Sequence, residues 1–302
     1  MRPVLFSMPG NDGFASQLRS ILTAEIGDMQ MHHFPDGESC PRFMTAVAGR
    51  DVILACALDR PDGKIMELYL AASVARELGA RSVGLVIPYL PYMRQDARFM
   101  EQEGVTSAHF ARLISGCCDW LVTVDPHLHR YHDLAQIYTV PSRIAHAAPE
   151  LAKWIVANVA LPVIIGPDVE SEQWVASVAA EAGCPHTVLH KKRRGDRDVE
   201  VSIPDVAEWS GRTPVLVDDI VSTARTMVAA VKQVKAAGMA PPVCIAIHPL
   251  FAGDGYIALQ VAGVERIVSC NTIAHSSNRI DMAKVVAVAI EDLLGAHSKV
   301  VT

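Results

Sequence analysis

A pair of neighbouring acids follows an apolar, β-branched run in the segment VLVDDIVSTARTM, residues 215–227. The side chains in it that could do chemistry are two carboxylates and three hydroxyls: Asp218, Asp219, Ser222, Thr223 and Thr226. Hydroxyls and backbone amides at the start of a helix can bind a phosphate group, and carboxylates can bind sugar hydroxyls or a divalent metal. The alternative is that Ser222 only caps a helix and that the acids lie in a solvated loop. Two acids directly after a buried strand favour a binding site.

Other apolar runs of the chain also end in reactive side chains. These are Asp125 and His127 after LVTV, Asp168 after VIIG, and the basic residues 191–194 after VLH. In open α/β sheets, ligands collect outside the carboxyl ends of the strands, where loops and helix starts present free amides. We therefore expect these side chains at the ligand-binding edges of their sheets.

The elements that must position these residues form a βα-repeating pattern. Short, continuous apolar runs are typical of strands buried on both faces of a parallel sheet. Between them, segments such as TARTMVAAVKQVKAAG have apolar residues at helical spacing and end in glycine. Residues 142–162 read as a helix and connector between two similar halves. The pattern predicts an α/β fold with domains at residues 1–145 and 146–302.

Composition limits the classes of protein that fit. The chain has 302 residues, 50% of them hydrophobic, and a mean hydropathy of +0.23. No run approaches the ~18 apolar residues of a membrane span, and the N-terminus lacks a signal-peptide pattern. Seven scattered cysteines without a C-x-x-C pair suggest neither a disulfide framework nor a zinc ribbon. A net charge of −6 disfavours nucleic acid. We expect a cytoplasmic protein with no membrane and no nucleic-acid partner.

The segment VLVDDIVSTARTM resembles the phosphoribosyl-pyrophosphate (PRPP) signature of phosphoribosyltransferases and of ribose-phosphate pyrophosphokinases. Alone it leaves both families open. Six further segments resemble pyrophosphokinase landmarks in the same order: FPDGESCPRF at 34–43, PYLPYMRQDARF at 88–99, TVDPH at 123–127, GPD at 166–168, HKKRRGDRDVEV at 190–201 and NTI at 271–273. The resemblance implies two phosphoribosyltransferase-like domains, each a mostly parallel sheet flanked by helices.

The reaction that the resemblance implies is transfer of the pyrophosphoryl group of MgATP to the anomeric hydroxyl of ribose 5-phosphate, giving PRPP and AMP. Such transfers depend on positioning and on neutralising charge on the phosphoryl oxygens. The family's catalytic pair falls on Lys191 and Arg193, in a loop that closes over the triphosphate. Choosing Lys191 over Lys192 rests on register with the family. The usual fate of such a basic run is a solvated surface.

The resemblance also assigns the binding residues. For ATP they are Phe34, Asp36, Glu38, Arg94, Gln95, Asp125 and His127, the first three reaching the adenine of a neighbouring subunit. For ribose 5-phosphate they are Asp218, Asp219, Ser222, Thr223, Ala224, Arg225 and Thr226. For Mg²⁺ they are His127 and Asp168. The family therefore implies a homo-oligomer, either a dimer or a hexamer built of dimers.

A competing interpretation exists for the first of these metal ligands. His127, His129 and His132 lie within six residues, and three histidines suit zinc or nickel. Only His127 falls on the family motif, so we favour magnesium with few protein ligands.

The departures from the family pattern keep other functions open. Ala224 and Arg225 stand where the family has two glycines, and a glycine pair after Asp168 is missing. They suggest a divergent or archaeal-like paralogue. The alternatives are a catalytically weak regulatory homologue and a salvage phosphoribosyltransferase. For the enzyme, we expect the Arg225 side chain to turn outward or to lie along the rim, leaving the amides of residues 223–226 free for phosphate.

Overall fold

A computed structural model describes residues 2–193, 199–202 and 206–300, with side chains described for 2–189 and 208–296. The chain divides into two compact units. The first contains Met1–Ala145, Thr272–Ala274 and Met282–Thr302, and the second contains His146–Asn271 and His275–Asp281.

The first unit is built on a parallel sheet of six strands. In chain order, the eight strands of the whole unit are β1 Val4–Ser7, β2 Glu25–Ile26, β3 Met29–His33, β4 Ser39–Phe43, β5 Asp51–Ala55, β6 Ser82–Val86, β7 Trp120–Val124 and β8 Ser142–Ala145. The sheet order is β2-β1-β5-β6-β7-β8, and every pair is parallel. The remaining two strands, β3 and β4, form a separate antiparallel hairpin.

The second unit repeats this plan. Its strands are β9 Pro162–Gly166, β10 His186–Val188, β11 His190–Arg193, β12 Val199–Ser202, β13 Thr213–Val221, β14 Val243–Pro249, β15 Arg266–Cys270 and β16 Asn278–Ile280. The parallel sheet has the order β10-β9-β13-β14-β15-β16, and β11 pairs with β12 in an antiparallel hairpin. The strand order reverses between β9 and β13, because β10 lies on one side of β9 and β13 lies on the other. Such a switch point is where open α/β sheets bind ligands.

The described part of the chain has eight α-helices: α1 Asp12–Ile21, α2 Asp62–Glu77, α3 Thr106–Cys117, α4 Ala148–Asn158, α5 Glu172–Ala182, α6 Arg225–Ala236, α7 Gly255–Val261 and α8 Ala283–Val300. None of the described helices is long and apolar enough to cross a bilayer. The central strands are sealed from solvent, as the continuous apolar runs predicted; Val215, Leu216 and Val217 of β13 are each 0% exposed. The α/β expectation is therefore confirmed.

The C-terminal helix departs from the expected domain division. We expected residues 146–302 to form one domain, but α8 packs on α1, β7 and β8 of the first unit. Its buried face includes Val286 and Ile290, both 0% exposed. Burying that apolar stripe against the first sheet stabilises the helix there. The position of α8 in the sequence, after the strands of the second unit, does not reveal that it packs on the sheet of the first unit.

Candidate functional site

Three acids lie at the switch point of the second unit. Asp168 lies two residues beyond the end of β9, while Asp218 and Asp219 lie on the neighbouring β13. Asp219 is buried and Asp218 is half-buried. The sequence suggested that Asp218 and Asp219 follow the strand. They lie within it instead, because pairing of Ile220 and Val221 with β14 extends β13 beyond them. The acids are thus held by a sheet rather than by a loop.

Local hydrogen bonds fix these carboxylates. The backbone N–H of Asp219 donates to Oδ1 of Asp218 at 3.0 Å, and that of Ile220 donates to Oδ1 of Asp219 at 2.7 Å. Asp168 accepts from the backbone N–H of Glu170 at 3.1 Å and so caps a short 3-10 turn. Each acid therefore has a defined orientation at the edge of the sheet.

The pKa of Asp218 is raised well above its usual value. Burial is the largest cause, followed by the negative charges of Asp219 and Asp168. Negative charge gathered in this way is stabilised by a cation or by hydrogen-bond donors of a ligand. Among the described residues, no three His, Cys, Asp or Glu side chains are grouped to hold a metal. A small set of carboxylates suits a magnesium ion that keeps most of its waters, whereas a zinc site uses three or four protein ligands.

A loop with open backbone amides follows the acids. It joins β13 to α6, which begins at Arg225 with Ala224 as its N-cap. The first helical bond runs from the N–H of Val228 to the carbonyl of Ala224 at 2.8 Å, and no side chain caps the helix. The N–H groups of the first turn have no acceptor within the helix, and they can donate to an anion. Arg225 is exposed, as a side chain that turns outward or lies along the rim would be.

Ala224 has the backbone conformation of a glycine. Its φ is +58° and its ψ is 7°, in the left-handed region that alanine rarely adopts. Its side chain is only 5% exposed. The turn that a family glycine would make is therefore made here by alanine, at a cost of about 1 kcal/mol.

A second loop supports the start of this one. The N–H of Phe251 donates to the carbonyl of Val221 at 2.9 Å, and the N–H of Ala252 donates to that of Ser222 at 3.0 Å. A Cβ on Gly255 would lie 2.7 Å from the same Ser222 carbonyl oxygen, so only glycine permits this approach. The sequence analysis missed this loop, although the glycines of FAGDG were a signal for it.

In the first unit, the carboxyl end of β7 presents the acid and histidine of the TVDPH segment. Asp125 is 7% exposed, has φ of +27°, and donates its N–H to the carbonyl of Ala145 at 3.2 Å. The ring centroids of His127 and His129 are 6.4 Å apart. The three-histidine interpretation finds no support, because the described residues contain no three-residue metal group.

The Arg94–Gln95 segment lies beyond the carboxyl end of β6, with both side chains exposed. The carbonyl of Gln95 accepts from the hydroxyl of Ser107 at 2.9 Å and from its N–H at 3.3 Å. The segment is thus tied to the start of α3.

An ion pair that the sequence analysis missed joins this segment to the loop after β7. The Asp96 carboxylate accepts from the Arg130 guanidinium at 2.6 Å and from the Arg130 N–H at 3.1 Å. The same guanidinium lies 5.4 Å from the centroid of the Phe99 ring. The loops that carry the Arg94–Gln95 and Asp125–His127 motifs are therefore directly connected.

The FPDGE segment forms the turn of the β3–β4 hairpin. Phe34 donates its N–H to the carbonyl of Glu38 at 2.8 Å, and Gly37 closes the turn with φ of +94°. Phe34 is 45% exposed at the tip of the hairpin. The N–H of Glu38 donates to Oδ1 of Asp36 at 3.3 Å.

The predicted catalytic pair lies in a part of the chain with no described side chains. Lys191 and Arg193 belong to β11, whose backbone pairs with β12. Their side chains lie outside the described residues, and so does all of Arg194.

The two sheets, the acids at the switch point and the open helix start define a two-domain protein of the phosphoribosyltransferase type. Comparison with known proteins agrees. A family model described as the N-terminal domain of ribose phosphate pyrophosphokinase matches residues 3–117, and a phosphoribosyl transferase domain model matches residues 134–283. The chain belongs to the ribose-phosphate pyrophosphokinase family.

Several relatives match nearly the whole chain. The ribose-phosphate pyrophosphokinase of Methanopyrus kandleri is 32% identical over 92% of this chain and 95% of its own length. That of Halobacterium salinarum is 31% identical over 95% of this chain and 100% of its own. The crystal structure of phosphoribosylpyrophosphate synthetase from Mycobacterium smegmatis aligns with a TM-score of 0.86, covering 98% of this chain and 100% of that one at 21% identity. This likeness supports the fold.

Proposed function

We propose that this protein transfers the pyrophosphoryl group of MgATP to ribose 5-phosphate. The observation that carries the proposal is the uncapped helix start after β13, beside the acids Asp168, Asp218 and Asp219. Full-length relatives named ribose-phosphate pyrophosphokinase support the same reaction. In it, the anomeric oxygen of the sugar bonds to the β-phosphorus of ATP, the bond from that phosphorus to the AMP oxygen breaks, and the hydroxyl proton passes to solvent.

The loop residues 222–226 bind the 5-phosphate of the sugar. Backbone amides and the hydroxyls of Ser222, Thr223 and Thr226 donate to its oxygens. Asp218 and Asp219 accept from the ribose hydroxyls, and the raised pKa of Asp218 suits a group that a bound ligand or cation must satisfy. The acids thus orient the sugar while the loop holds its charged end.

The ATP side is formed by motifs of the first unit. Arg94 makes charge-assisted contacts with the phosphates and Gln95 lies beside it. Phe34, Asp36 and Glu38 take part in the adenine pocket of a neighbouring subunit, which makes the active form a homo-oligomer, a dimer or a hexamer built of dimers. We place this enzyme in the cytoplasm.

Magnesium is the proposed cofactor, held by His127 and by Asp168. When bound, Mg²⁺ neutralises charge on the phosphoryl oxygens of ATP. Lys191 and Arg193 donate to the same oxygens as negative charge develops in the transition state. Because these contacts strengthen at that point, they accelerate transfer more than they tighten ATP binding.

Direct measurement of AMP and PRPP tests the function. Purified protein is incubated with ATP and Mg²⁺, with and without ribose 5-phosphate, and AMP and PRPP are separated by chromatography. We expect equal amounts of AMP and PRPP that depend on the sugar and disappear with EDTA. ATP binding without AMP release would identify a regulatory homologue, and AMP without PRPP would identify a hydrolase.

The catalytic role of Lys191 has its own test. Lys191→Ala is expected to lower kcat by about 100-fold or more, with a much smaller change in the KM for ATP. Lys192→Ala is the matched control, and it should keep most of the turnover. If the two variants exchange these behaviours, the catalytic lysine is Lys192.

A further inference from the structure

Three aromatic rings pack together behind the loop that supports the phosphate-binding residues. The ring centroids of Phe251 and Tyr256 are 5.1 Å apart, and each is 4.7 Å from that of His275. Phe251 is 9% exposed. All three belong to the second unit, and His275 lies on the connection between β15 and β16. Nothing in the proposed reaction uses them directly.

Phe251 is held in a conformation that it would not adopt alone. Its φ is +38°, in the left-handed region, which costs a bulky residue on the order of 1–2 kcal/mol. Such strain persists only where the surroundings enforce it. The conformation turns the chain so that the N–H groups of Phe251 and Ala252 donate to the carbonyls of Val221 and Ser222. Packing of the Phe251 ring therefore fixes the two donors that hold the start of the phosphate loop.

His275 is itself fixed by a directional chain of hydrogen bonds. The Nδ2 group of Asn278 donates to the Ser269 hydroxyl at 2.9 Å, and the Ser269 and Ser277 hydroxyls are 2.7 Å apart. The Ser277 hydroxyl lies 2.7 Å from Nδ1 of His275, and the Ser277 N–H donates to the same nitrogen at 3.1 Å. Since Nδ1 accepts from a backbone N–H, the network assigns the proton of the neutral ring to Nε2. Burial lowers the pKa of His275, which agrees with a neutral ring.

The buried end of this network anchors the ring to the sheet. Ser269 belongs to β15 and is 0% exposed, and Asn278 also donates to the carbonyl of Cys270 at 2.7 Å. The His275 backbone N–H donates to Oδ1 of Asn278 at 2.9 Å. These hydrogen bonds therefore fix both the position and the orientation of the imidazole, independently of its packing against Phe251 and Tyr256.

We propose that His275 is a positioning residue for ribose 5-phosphate binding. Its ring is tied to β15 through the hydroxyls of Ser277 and Ser269, and it packs against Phe251 and Tyr256. This packing holds the carbonyls of Val221 and Ser222 in the position that the phosphate loop requires. His275 touches no substrate. The proposal rests on the proposed function for its kinetic readout, and it has a structural readout that does not.

The kinetic test separates the two substrates. His275→Ala is expected to raise the KM for ribose 5-phosphate by about 10-fold while kcat and the KM for ATP change by less than about 2-fold, since a loop displaced by a fraction of an ångström loses phosphate contacts. His275→Phe keeps an aromatic ring packed with Phe251 and Tyr256, and it should recover most of the affinity for ribose 5-phosphate. The control is His109→Ala, an exposed histidine on α3 of the other unit. Equal effects on both substrates, or none, would overturn the proposal.

The structural test is hydrogen exchange of backbone amides in the full-length protein. In His275→Ala, the amides of Phe251 and Ala252 should exchange about 10-fold faster or more, because their hydrogen bonds to Val221 and Ser222 open more often. Unchanged exchange at both positions would refute the positioning role of His275. If His275→Ala does not fold, Tyr256→Leu removes another ring of the cluster and carries the same expectation. If the wild-type protein forms no PRPP and His275→Ala still speeds exchange at Phe251 and Ala252, the proposed function is contradicted and the positioning role of His275 is not.

Discussion

Replacing Arg130 by glutamine tests whether the two ATP-side loops act as one structure. The Asp96 side chain is 2% exposed, and it accepts two hydrogen bonds from Arg130, one from the backbone and one from the guanidinium. Arg130→Gln leaves the backbone donor in place and removes the charged one. A nearly buried carboxylate then loses its counter-charge, and the loop after β7 is released from the Arg94–Gln95 segment.

The expected loss of stability depends on how deeply Asp96 and Arg130 are each buried. A hydrogen bond to a charged group contributes about 1.5–3 kcal/mol, but Arg130 is 47% exposed, so the low end applies. Loss of the contact with the Phe99 ring adds about 0.5 kcal/mol at such an exposed site. We expect the free energy of unfolding to fall by about 1.5–2.5 kcal/mol, which lowers the Tm by about 3–10 °C.

Thermal melts and substrate kinetics measure both consequences. The KM for ATP should rise several-fold, while that for ribose 5-phosphate should stay within about 2-fold, because its loop belongs to the other unit. The matched control is Arg98→Gln, an exposed neighbour that should change stability by less than about 0.5 kcal/mol. A double-mutant cycle with Asp96→Asn should give a coupling of about 1–2 kcal/mol. Additive single effects, or an Arg130→Gln protein as stable as the Arg98→Gln control, would refute the reasoning.

Three other substitutions test the phosphate loop and the acids beside it. Gly255→Ala should destabilise the fold by about 1–3 kcal/mol and raise the KM for ribose 5-phosphate, because its Cβ would displace the Ser222 carbonyl; Gly116→Ala, with open space around it, is the control. Asp218→Asn should abolish most activity yet stabilise the metal-free fold in EDTA. Since the folded pKa of Asp218 lies above 3.8, the wild-type protein loses stability as the pH rises from 3.8 through the folded pKa. Urea titrations at several pH values should show that Asp218→Asn does not lose this stability. Ala224→Val should cost about 2 kcal/mol or more by chemical denaturation, since a β-branched residue resists a positive φ, and an unchanged midpoint would show that the loop adapts.

The fold was largely predictable because each parallel strand has its own continuous apolar run. The runs around Val163, Val215 and Val243 are buried on both faces, and period and length alone identify such strands. The helix α8 shows where this logic stops. Its apolar stripe predicts that it packs on a sheet, but both sheets offer a similar face, and only the completed packing decides between them.

The candidate site was predictable where chemistry is concentrated in a short segment. The acids and hydroxyls of residues 215–227 are adjacent in sequence, so their convergence needs no knowledge of the fold. The Asp96–Arg130 pair and the support of Ser222 by Ala252 join residues roughly 30 positions apart. One such pairing is selected by packing from many possible ones, and a single sequence carries no signal for it.

The substitution of both loop glycines was the strongest argument against an active enzyme. A phosphate loop uses glycine to reach a left-handed conformation and to let an anion approach its amides. Ala224 adopts that conformation with φ of +58°, and its methyl group is buried away from solvent. Arg225 is exposed. The left-handed conformation is therefore reached at the cost of strain, and the exposed Arg225 side chain does not fill the space beside the amides. The left-handed turn at Ala224 has a reason if the loop binds phosphate, because that turn presents the backbone amides to the anion. A loop that only connects β13 to α6 has no need of a strained turn.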